Sequence, residues 1–556
     1  MLLNVTTIKT ILEKIPFVTK IVDLRAGDIF INGKIQIDFK ELPEPLDFDI
    51  KIAAHYPLRS YDSESIKFIN EDLINYKHVM GDGSICIHTS HNPNLEQKLF
   101  MDLTSLKNWI VKYYIHKEDD THYEHIIVPE NPVNGKYYSF CFTDVEHKFC
   151  KGDYGTVGVV SLSNGLYREK EIFNFLVRHF SVRDDGDITC QWNTRYLNLP
   201  LVNTGIYFFI KDPPARLNRF ILKDWEDFYD LLPESFLSLL HTFQVNNIKK
   251  FRGQITPIFF GYNTTEGEIH WQVALMEIGK FPIEGVPIKI NERKTGKWTS
   301  QLTTGSINWA LTRNSSYNYY FGRGKLTPHI TDKKILIIGI GAVGSMVAKT
   351  LVRGGCTKID LADFDVKEPE NVCRSEYLFN LGLNDKVDEL AKILTAISPF
   401  VEIAPLNKDY FQTIVKWFYK EKTAREIFIK ELNKYDLVID CTTDDDLMYI
   451  FDKLSLDCTL LSLSITNKAK ALVAGFHPNS YRFFKIQYEN LENNLEDLYN
   501  PTGCWSPTFK ASYNDINFLV QFALKHLNKV YSENKQKLNF VIKSNDETTN
   551  PYIKEY

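Results

Sequence analysis

Apolar runs long enough to cross a bilayer, about 18 residues or more, are missing from the 556 residues. The stretch after Met1, "LLNVTTIKTILEKIPF", has neither a basic lead-in nor a small-residue cleavage site. Neither a membrane span nor a secretory leader is therefore expected, and the chain reads as soluble and cytoplasmic. No block of Lys or Arg occurs and the formal net charge is −5, which argues against nucleic acid as a partner recruited by bulk charge. The nine cysteines (86, 141, 150, 190, 356, 373, 441, 458 and 504) are odd in number, scattered, and contain no C-x-x-C pair. That excludes a zinc ribbon or a dithiol redox site and suits free thiols in a reducing compartment. Gly/Ser-rich and Pro-rich tracts are absent too, so the middle of the chain is expected to be a folded connector and not a flexible linker.

With 44% hydrophobic and 24% charged residues, what is present is enough chain for roughly three domains. The sharpest boundary precedes "TDKKILIIGIGAVGSMVAKTLVRGGCTKIDLADFD", residues 331–365. A buried strand over Ile335 to Ile338 runs through Gly339-x-Gly341-x-x-Gly344 into an amphipathic helix, and a second strand ends at Asp363, about 20 residues past the last glycine. Such a βαβ unit brings a phosphate to backbone N–H groups at a helix N-terminus. NAD and ATP fit it equally well. The residues that follow favour ATP: Asp363, Asp365, Asn371, Arg374 and Lys386 supply more cation and amide than a nicotinamide needs, and they suit a triphosphate attacked at its α-phosphorus. Then "YDLVIDCTTDDD" gives another buried strand ending in acids at Asp440 and Asp444 to Asp446, where hard Mg²⁺ beside ATP would be held.

Asp363-x-Asp365, Asn371-x-x-Arg374, Lys386 and "LVIDCT", in this order, resemble the adenylating domain of ubiquitin-activating enzymes and bacterial sulfur-carrier adenylyltransferases. The resemblance implies ribose on Asp363, phosphates on Asn371, Arg374 and Lys386, and Mg²⁺ on an acid after Ile439. The family's "DCTDN" is replaced here by "DCTTDDD", which leaves Asp440 or Asp444 as that acid. In "NPTGCWSPTF", Cys504 sits among Pro501, Gly503 and Pro507, a loop similar to the thioester-forming loop of the activating enzymes. An acyl adenylate is a mixed anhydride that a thiolate on a reaching loop can capture. Cys373, between Asn371 and Arg374, is a rival nucleophile; Cys356, Cys441 and Cys458 have the apolar context of core thiols.

The N-terminal part reads as an amphipathic helix ("VTTIKTILEKIPFV"), alternating strands ("KIQIDFKEL", "LDFDIKIAAHYPLRS") closing on Tyr56-Pro57, a Gly-Ser-Ile-Cys-Ile step at Cys86, and a helix in "MDLTSLKNWIVKYYI". That layout resembles ubiquitin-conjugating domains, with Cys86 as the thioester-bearing nucleophile. Their His-Pro-Asn ahead of the cysteine is replaced by His78-Val79-Met80, so the oxyanion-stabilising Asn is missing; backbone N–H groups, His88 or His91 are the candidates to stand in.

The expected fold is therefore α/β: a ubiquitin-conjugating-like α+β domain over 1–125, a β-rich connector over 126–325, and a Rossmann-like adenylating domain with its cysteine loop over 326–556. The whole order resembles bacterial fusions of activating and conjugating domains in CBASS antiphage operons with cGAS-like nucleotidyltransferases. By that resemblance ATP and Mg²⁺ serve to adenylate the C-terminus of a partner protein, a cGAS-like nucleotidyltransferase, which passes to Cys504, then to Cys86, then to a target amine. The same resemblance adds a JAB-type deconjugating peptidase as partner and a homodimer as the working form, with Arg323 reaching a nucleotide. A sulfur-carrier-type adenylyltransferase and an NAD-binding oxidoreductase are the alternatives.

Overall fold

The computed structural model describes residues 4–60, 64–118, 126–129, 131–182, 186–217, 219–264, 267–290, 293–406, 410–491, 511–544 and 550–556. Cys504 lies outside them. The chain divides into two compact units, one of residues 1–130, 209–254 and 260–309, the other of 131–208, 255–259 and 310–556.

In the first unit, helix α1 (Val5–Leu12) is started by Asn4, whose side chain accepts the Thr7 N–H, and buries Ile8, Ile11 and Leu12 on one face. A four-stranded antiparallel meander follows: β1 (Val18–Ala26), β2 (Phe30–Ile37), β3 (Leu46–Ala53) and β4 (Ile66–Ile69). β3 alternates strictly, Leu46, Phe48, Ile50 and Ile52 inward and Asp47, Asp49 and Lys51 outward, as a sheet with one wet face requires. Helix α2 (Leu95–Trp109), capped by Asn94, closes the core with Leu99, Leu103, Leu106 and Trp109. The strand over 18–26 was not foreseen; the helix reading of 5–18 ran past Pro16, beyond which the chain is extended. The same unit contains the long helix Glu234–Phe251 and the hairpin of Ile283–Ile290 with Arg293–Leu302.

The second unit is built on an eight-stranded sheet. Its elements are β5 (Lys334–Ile338), α3 (Ala342–Arg353), β6 (Lys358–Ala362), α4 (Lys386–Ile397), β7 (Glu402–Pro405), β8 (Leu437–Asp440), α5 (Asp445–Asp452), β9 (Thr459–Ile465), β10 (Ala471–Phe476), α6 (Tyr513–Ser532), β11 (Phe540–Ser544) and β12 (Pro551–Glu555). The strand order is β7-β6-β5-β8-β9-β10-β11-β12, parallel from β7 to β9 and antiparallel beyond. The run "KILII" has no polar break because both faces are covered. Ile335 and Ile337 pack with α3 and α6, and Leu336 and Ile338 pack with Phe411, Phe428 and Phe451 on the opposite face. The order reverses about β5, so β5 and β8 diverge at their C-terminal ends, where a doubly wound sheet opens a crevice for ligand.

Tyr137–Phe142, Tyr154–Ser161 and Lys170–Val182 form part of a second sheet in this unit, the first parallel and the second antiparallel to the third. Next to it, residues 192–195 dock on the end of α4: Trp192 stacks on Phe400 at 5.7 Å, the Asn193 N–H donates to the Pro399 carbonyl at 2.7 Å, and Arg195 reaches the Lys392 carbonyl at 3.0 Å. Among the described residues, no helix is long and apolar enough to cross a membrane.

Candidate active site

The glycine turn between β5 and α3 has a separate reason for each glycine. Gly339 holds φ +74°, and a Cβ there would lie 2.7 Å from the Thr442 nitrogen. At Gly344 a Cβ would sit 2.0 Å from the Gly339 carbonyl oxygen, so the helix packs on its own loop only without a side chain. A Cβ at Gly341, the N-cap of α3, meets nothing within 4 Å. Internal packing therefore does not require that glycine; it leaves a cradle of backbone N–H groups at the positive end of a helix, the setting for a phosphate.

Asp363 closes this turn. Its Oδ2 accepts the Ile340 N–H and its Oδ1 accepts the Asp365 N–H, both at 2.8 Å. Burial pushes its carboxyl above the ordinary carboxylate range, with Lys386 pulling the other way. Lys386 begins α4 and donates to Asp365 Oδ2 at 2.8 Å, while its backbone N–H bonds the Asp365 carbonyl. Asn371 and Arg374 lie on the 3₁₀ turn Pro369–Arg374, where the Asn371 side-chain carbonyl accepts the Glu368 N–H at 3.0 Å. The residues just after that turn tie it to the glycine loop: the Glu376 N–H reaches Ser345 Oγ at 3.3 Å and the Tyr377 hydroxyl donates to the Ile340 carbonyl at 2.6 Å. The glycines, Asp363, Asp365 and Lys386 thus form one bonded set, with Asn371 and Arg374 on the neighbouring turn.

The two acids after β8 differ sharply. Asp440 is 1% exposed; its Oδ1 accepts from the Thr442 N–H (3.0 Å) and hydroxyl (2.7 Å), and its Oδ2 accepts from Ser462 at 2.9 Å. Burial raises its carboxyl, and those donors hold it down. Ser462 Oγ lies 3.2 Å from His477 Nε2, and His477 Nδ1 lies 2.5 Å from Asp452. Asp440 thus pins the turn that abuts Gly339, locked from behind by a buried polar chain. Asp444 caps α5 through Oδ1, accepting from Asp446 and Leu447, and no bond to its Oδ2 is present among the described residues. Of the two, Asp444 has an oxygen to offer a hard cation. A single carboxylate suits Mg²⁺, which keeps waters and phosphate oxygens as its other ligands. No group of three or more His, Cys, Asp or Glu that could hold a metal occurs among the described residues.

The thiols sort by burial. Cys356 is pushed up to about 12 and Cys458 to about 11, and Cys441 is raised well above a free thiol, all by burial, which makes them poor nucleophiles. Cys373 is exposed, with its Sγ turned to the Glu370 carbonyl at 3.2 Å. Cys86 is half-buried, just past a tight turn, its N–H bonded to the His78 carbonyl at 2.8 Å. Arg323 is exposed, a few residues before Leu326, whose N–H bonds the Gly354 carbonyl at 2.9 Å. That is the C-terminal end of α3, a helix about 18 Å long, so in its own chain Arg323 lies away from the glycine loop. Ser462, His477, Asp452 and Tyr377 were not foreseen. They belong to no recognisable motif spacing, and only the fold brings them together.

Residues 317–465 match the model of the ThiF family. More particularly, the chain is 26% identical over 278 residues to the ATP-dependent ubiquitin transferase-like protein Cap2 of Enterobacter hormaechei, covering 48% of this chain and 44% of that protein. It is 35% identical over 113 residues to ubiquitin-like modifier-activating enzyme 5 of Aedes aegypti, covering 20% of this chain and 28% of that one. The matches thus span less than half the length of these curated relatives. A crystal structure of E. coli MccB with ATP overlaps 41% of this chain and 64% of that one at 14% identity and a TM-score of 0.27, too loose to bear on the chemistry.

Proposed function

We propose that this chain is an ATP-dependent ubiquitin-like transferase that activates the C-terminal carboxylate of a partner protein, a cGAS-like nucleotidyltransferase, in antiphage defence. The single observation behind this reading is the bonded set of glycine turn, Asp363, Asp365 and Lys386 beside Arg374. It pairs a phosphate cradle with two cations, which a nicotinamide site does not need. The printed name of the Enterobacter relative, an ATP-dependent ubiquitin transferase-like protein, supports the same direction.

Asp363 would receive the ribose of ATP, and the backbone N–H groups of the Gly341 turn its phosphates. The partner's carboxylate oxygen attacks the α-phosphorus, the bond to the bridging oxygen breaks, and pyrophosphate leaves. Arg374 and Lys386 offset the charge that builds on the phosphates. Asp444 would hold Mg²⁺, which when bound would supply charge neutralisation for the pyrophosphate. The Cys504 thiolate then attacks the carbonyl carbon of the acyl adenylate and AMP departs. Cys86 takes the acyl group by thiol–thioester exchange, and a target amine displaces Cys86 to give an amide. The helix, four-strand meander, Cys86 turn and helix within residues 1–125 support the reading of that segment as a ubiquitin-conjugating-like domain. Two catalytic thiols on one chain raise each other's effective concentration.

The working form is a homodimer through residues 330–490. Phe379 (77% exposed), Leu383 (71% exposed), Phe364, Leu378 and Leu381 offer an apolar surface in that range; a monomer by light scattering at micromolar concentration would rule this out. A JAB-type peptidase would remove the conjugate. The test of the activation step is pyrophosphate exchange with ATP, Mg²⁺ and the partner's C-terminal segment. Exchange is expected in the wild type and lost in Arg374→Ala; NAD binding without donor-dependent ATP turnover would defeat the reading.

A further inference from the structure

Cys86 stands on a segment held unusually firmly for a loop. On its N-terminal side, Met80 and Ser84 close a turn, the Met80 N–H donating to the Ser84 carbonyl at 2.8 Å. The Ile85 N–H bonds the Phe68 carbonyl of β4 at 2.8 Å. Arg219, only 4% exposed, donates to the carbonyl of Ile74 at 3.0 Å and to those of Tyr76 and Val79, which fixes the chain that leads into the turn. On the C-terminal side, Thr89 is gripped from several directions. Its hydroxyl donates to Asp102 at 2.5 Å and accepts from Lys98 at 2.6 Å, and its carbonyl accepts from Arg59. Lys98 is 1% and Asp102 0% exposed; they pair at 2.5 Å, and the Tyr56 hydroxyl donates to Asp102 at 2.8 Å. A buried ion pair is weak evidence for stability but a good device for fixing one geometry.

Between these two anchors lie only residues 86 to 88. Ile85 and Ile87 are both buried, so in extended chain the side chains of Cys86 and His88 share the outer side. Cys86 Sγ stands 3.4 Å from His88 Nε2. A thiol and an imidazole nitrogen in contact, on a segment pinned at both ends, have the arrangement that thiol catalysis uses for nucleophile and base.

We propose that His88 is the general base of Cys86 in its reaction with a protein acyl thioester, a step that rests on the cysteine relay proposed above. His88 Nε2 accepts the Sγ proton as the thiolate attacks the carbonyl carbon of the incoming thioester. The new C–S bond to Cys86 forms as the old C–S bond to Cys504 breaks. The proton held on His88 passes to the departing thiolate. His88 is exposed, and its removal leaves the packing of Ile85 and Ile87 in place.

The test needs neither ATP nor donor. The full-length protein is treated with iodoacetamide at neutral pH and the rate at each cysteine is read by peptide mass spectrometry, with exposed Cys150 and Cys373 as references and buried Cys356 reporting on the fold. In His88→Asn, alkylation of Cys86 is expected to slow about tenfold while the references and Cys356 keep their wild-type rates. A Cys86 rate within about twofold of wild type overturns the assignment. Failure of the relay itself is read separately, as absence of any donor adduct on Cys86 in the wild type supplied with ATP, Mg²⁺ and donor.

Discussion

Replacing Lys386 with Met separates two jobs that one ammonium group does. In the protein without nucleotide, Lys386 Nζ lies 2.8 Å from Asp365 Oδ2, with side chains 9% and 54% exposed. Because the carboxylate is half in water, the pair contributes only about 1 kcal/mol to folding after screening. Against a phosphoryl group in the transition state, a placed cation is worth about 2.7–4 kcal/mol, or roughly 10²–10³ in rate. The second effect wins. Lys386→Met is therefore expected to stay folded, with a small drop in Tm, and to lose roughly 10²–10³ of its donor-dependent pyrophosphate exchange. The stability loss should also depend on pH. Burial holds the Asp363 carboxyl above its ordinary range against the opposing pull of Lys386. A folded-state value above the unfolded one means stability is fullest at acid pH and is lost as pH rises through the carboxylate range. Without Lys386 that loss grows, so the gap between wild type and variant should widen as pH rises from about 3 to about 7. Exchange reduced less than about fivefold would mean that Lys386 serves Asp365 alone and never meets a phosphate.

Gly344→Ala forces a Cβ to within 2.0 Å of the Gly339 oxygen; it should cost about 1–3 kcal/mol by chemical denaturation and weaken binding of a nonhydrolysable ATP analogue, whereas wild-type affinity would show that the loop is not the phosphate cradle. Ser462→Ala removes the 2.9 Å donor to Asp440 Oδ2 and should cost about 1–3 kcal/mol at neutral pH. Since the donor serves the ionised carboxylate, that cost should shrink on acidification; a cost independent of pH would mean that the Asp440–Ser462 contact carries no charge.

Much of this was legible in the sequence for one physical reason: a parallel sheet buried on both faces writes itself as unbroken apolar runs. "KILII" and "LVID" could hardly be anything else, and the glycines between strand and helix fixed where the turn fell. Asp363, Asp365 and Lys386 were legible because motif spacing is local. The buried chain behind Asp440 was not, because Ser462, His477 and Asp452 come from three different elements and carry no periodicity. The same holds for Lys98 and Asp102, which sit one turn apart on α2 and read as a solvated helical pair until the fold buries them. Arg219 shows the limit most plainly: an arginine far along the chain holds three carbonyls ahead of Cys86.

An acyl group activated with ATP is expected to move through two thiols in order, Cys504 and then Cys86. The direct measurement is intact-protein mass spectrometry of wild type, Cys504→Ala and Cys86→Ala after incubation with ATP, Mg²⁺ and the donor's C-terminal segment. Cys504→Ala should still support pyrophosphate exchange yet load neither position. Cys86→Ala should accumulate a reductant-sensitive adduct on Cys504 and form no reductant-resistant conjugate. Charging of Cys86 at the wild-type rate in Cys504→Ala would contradict the relay.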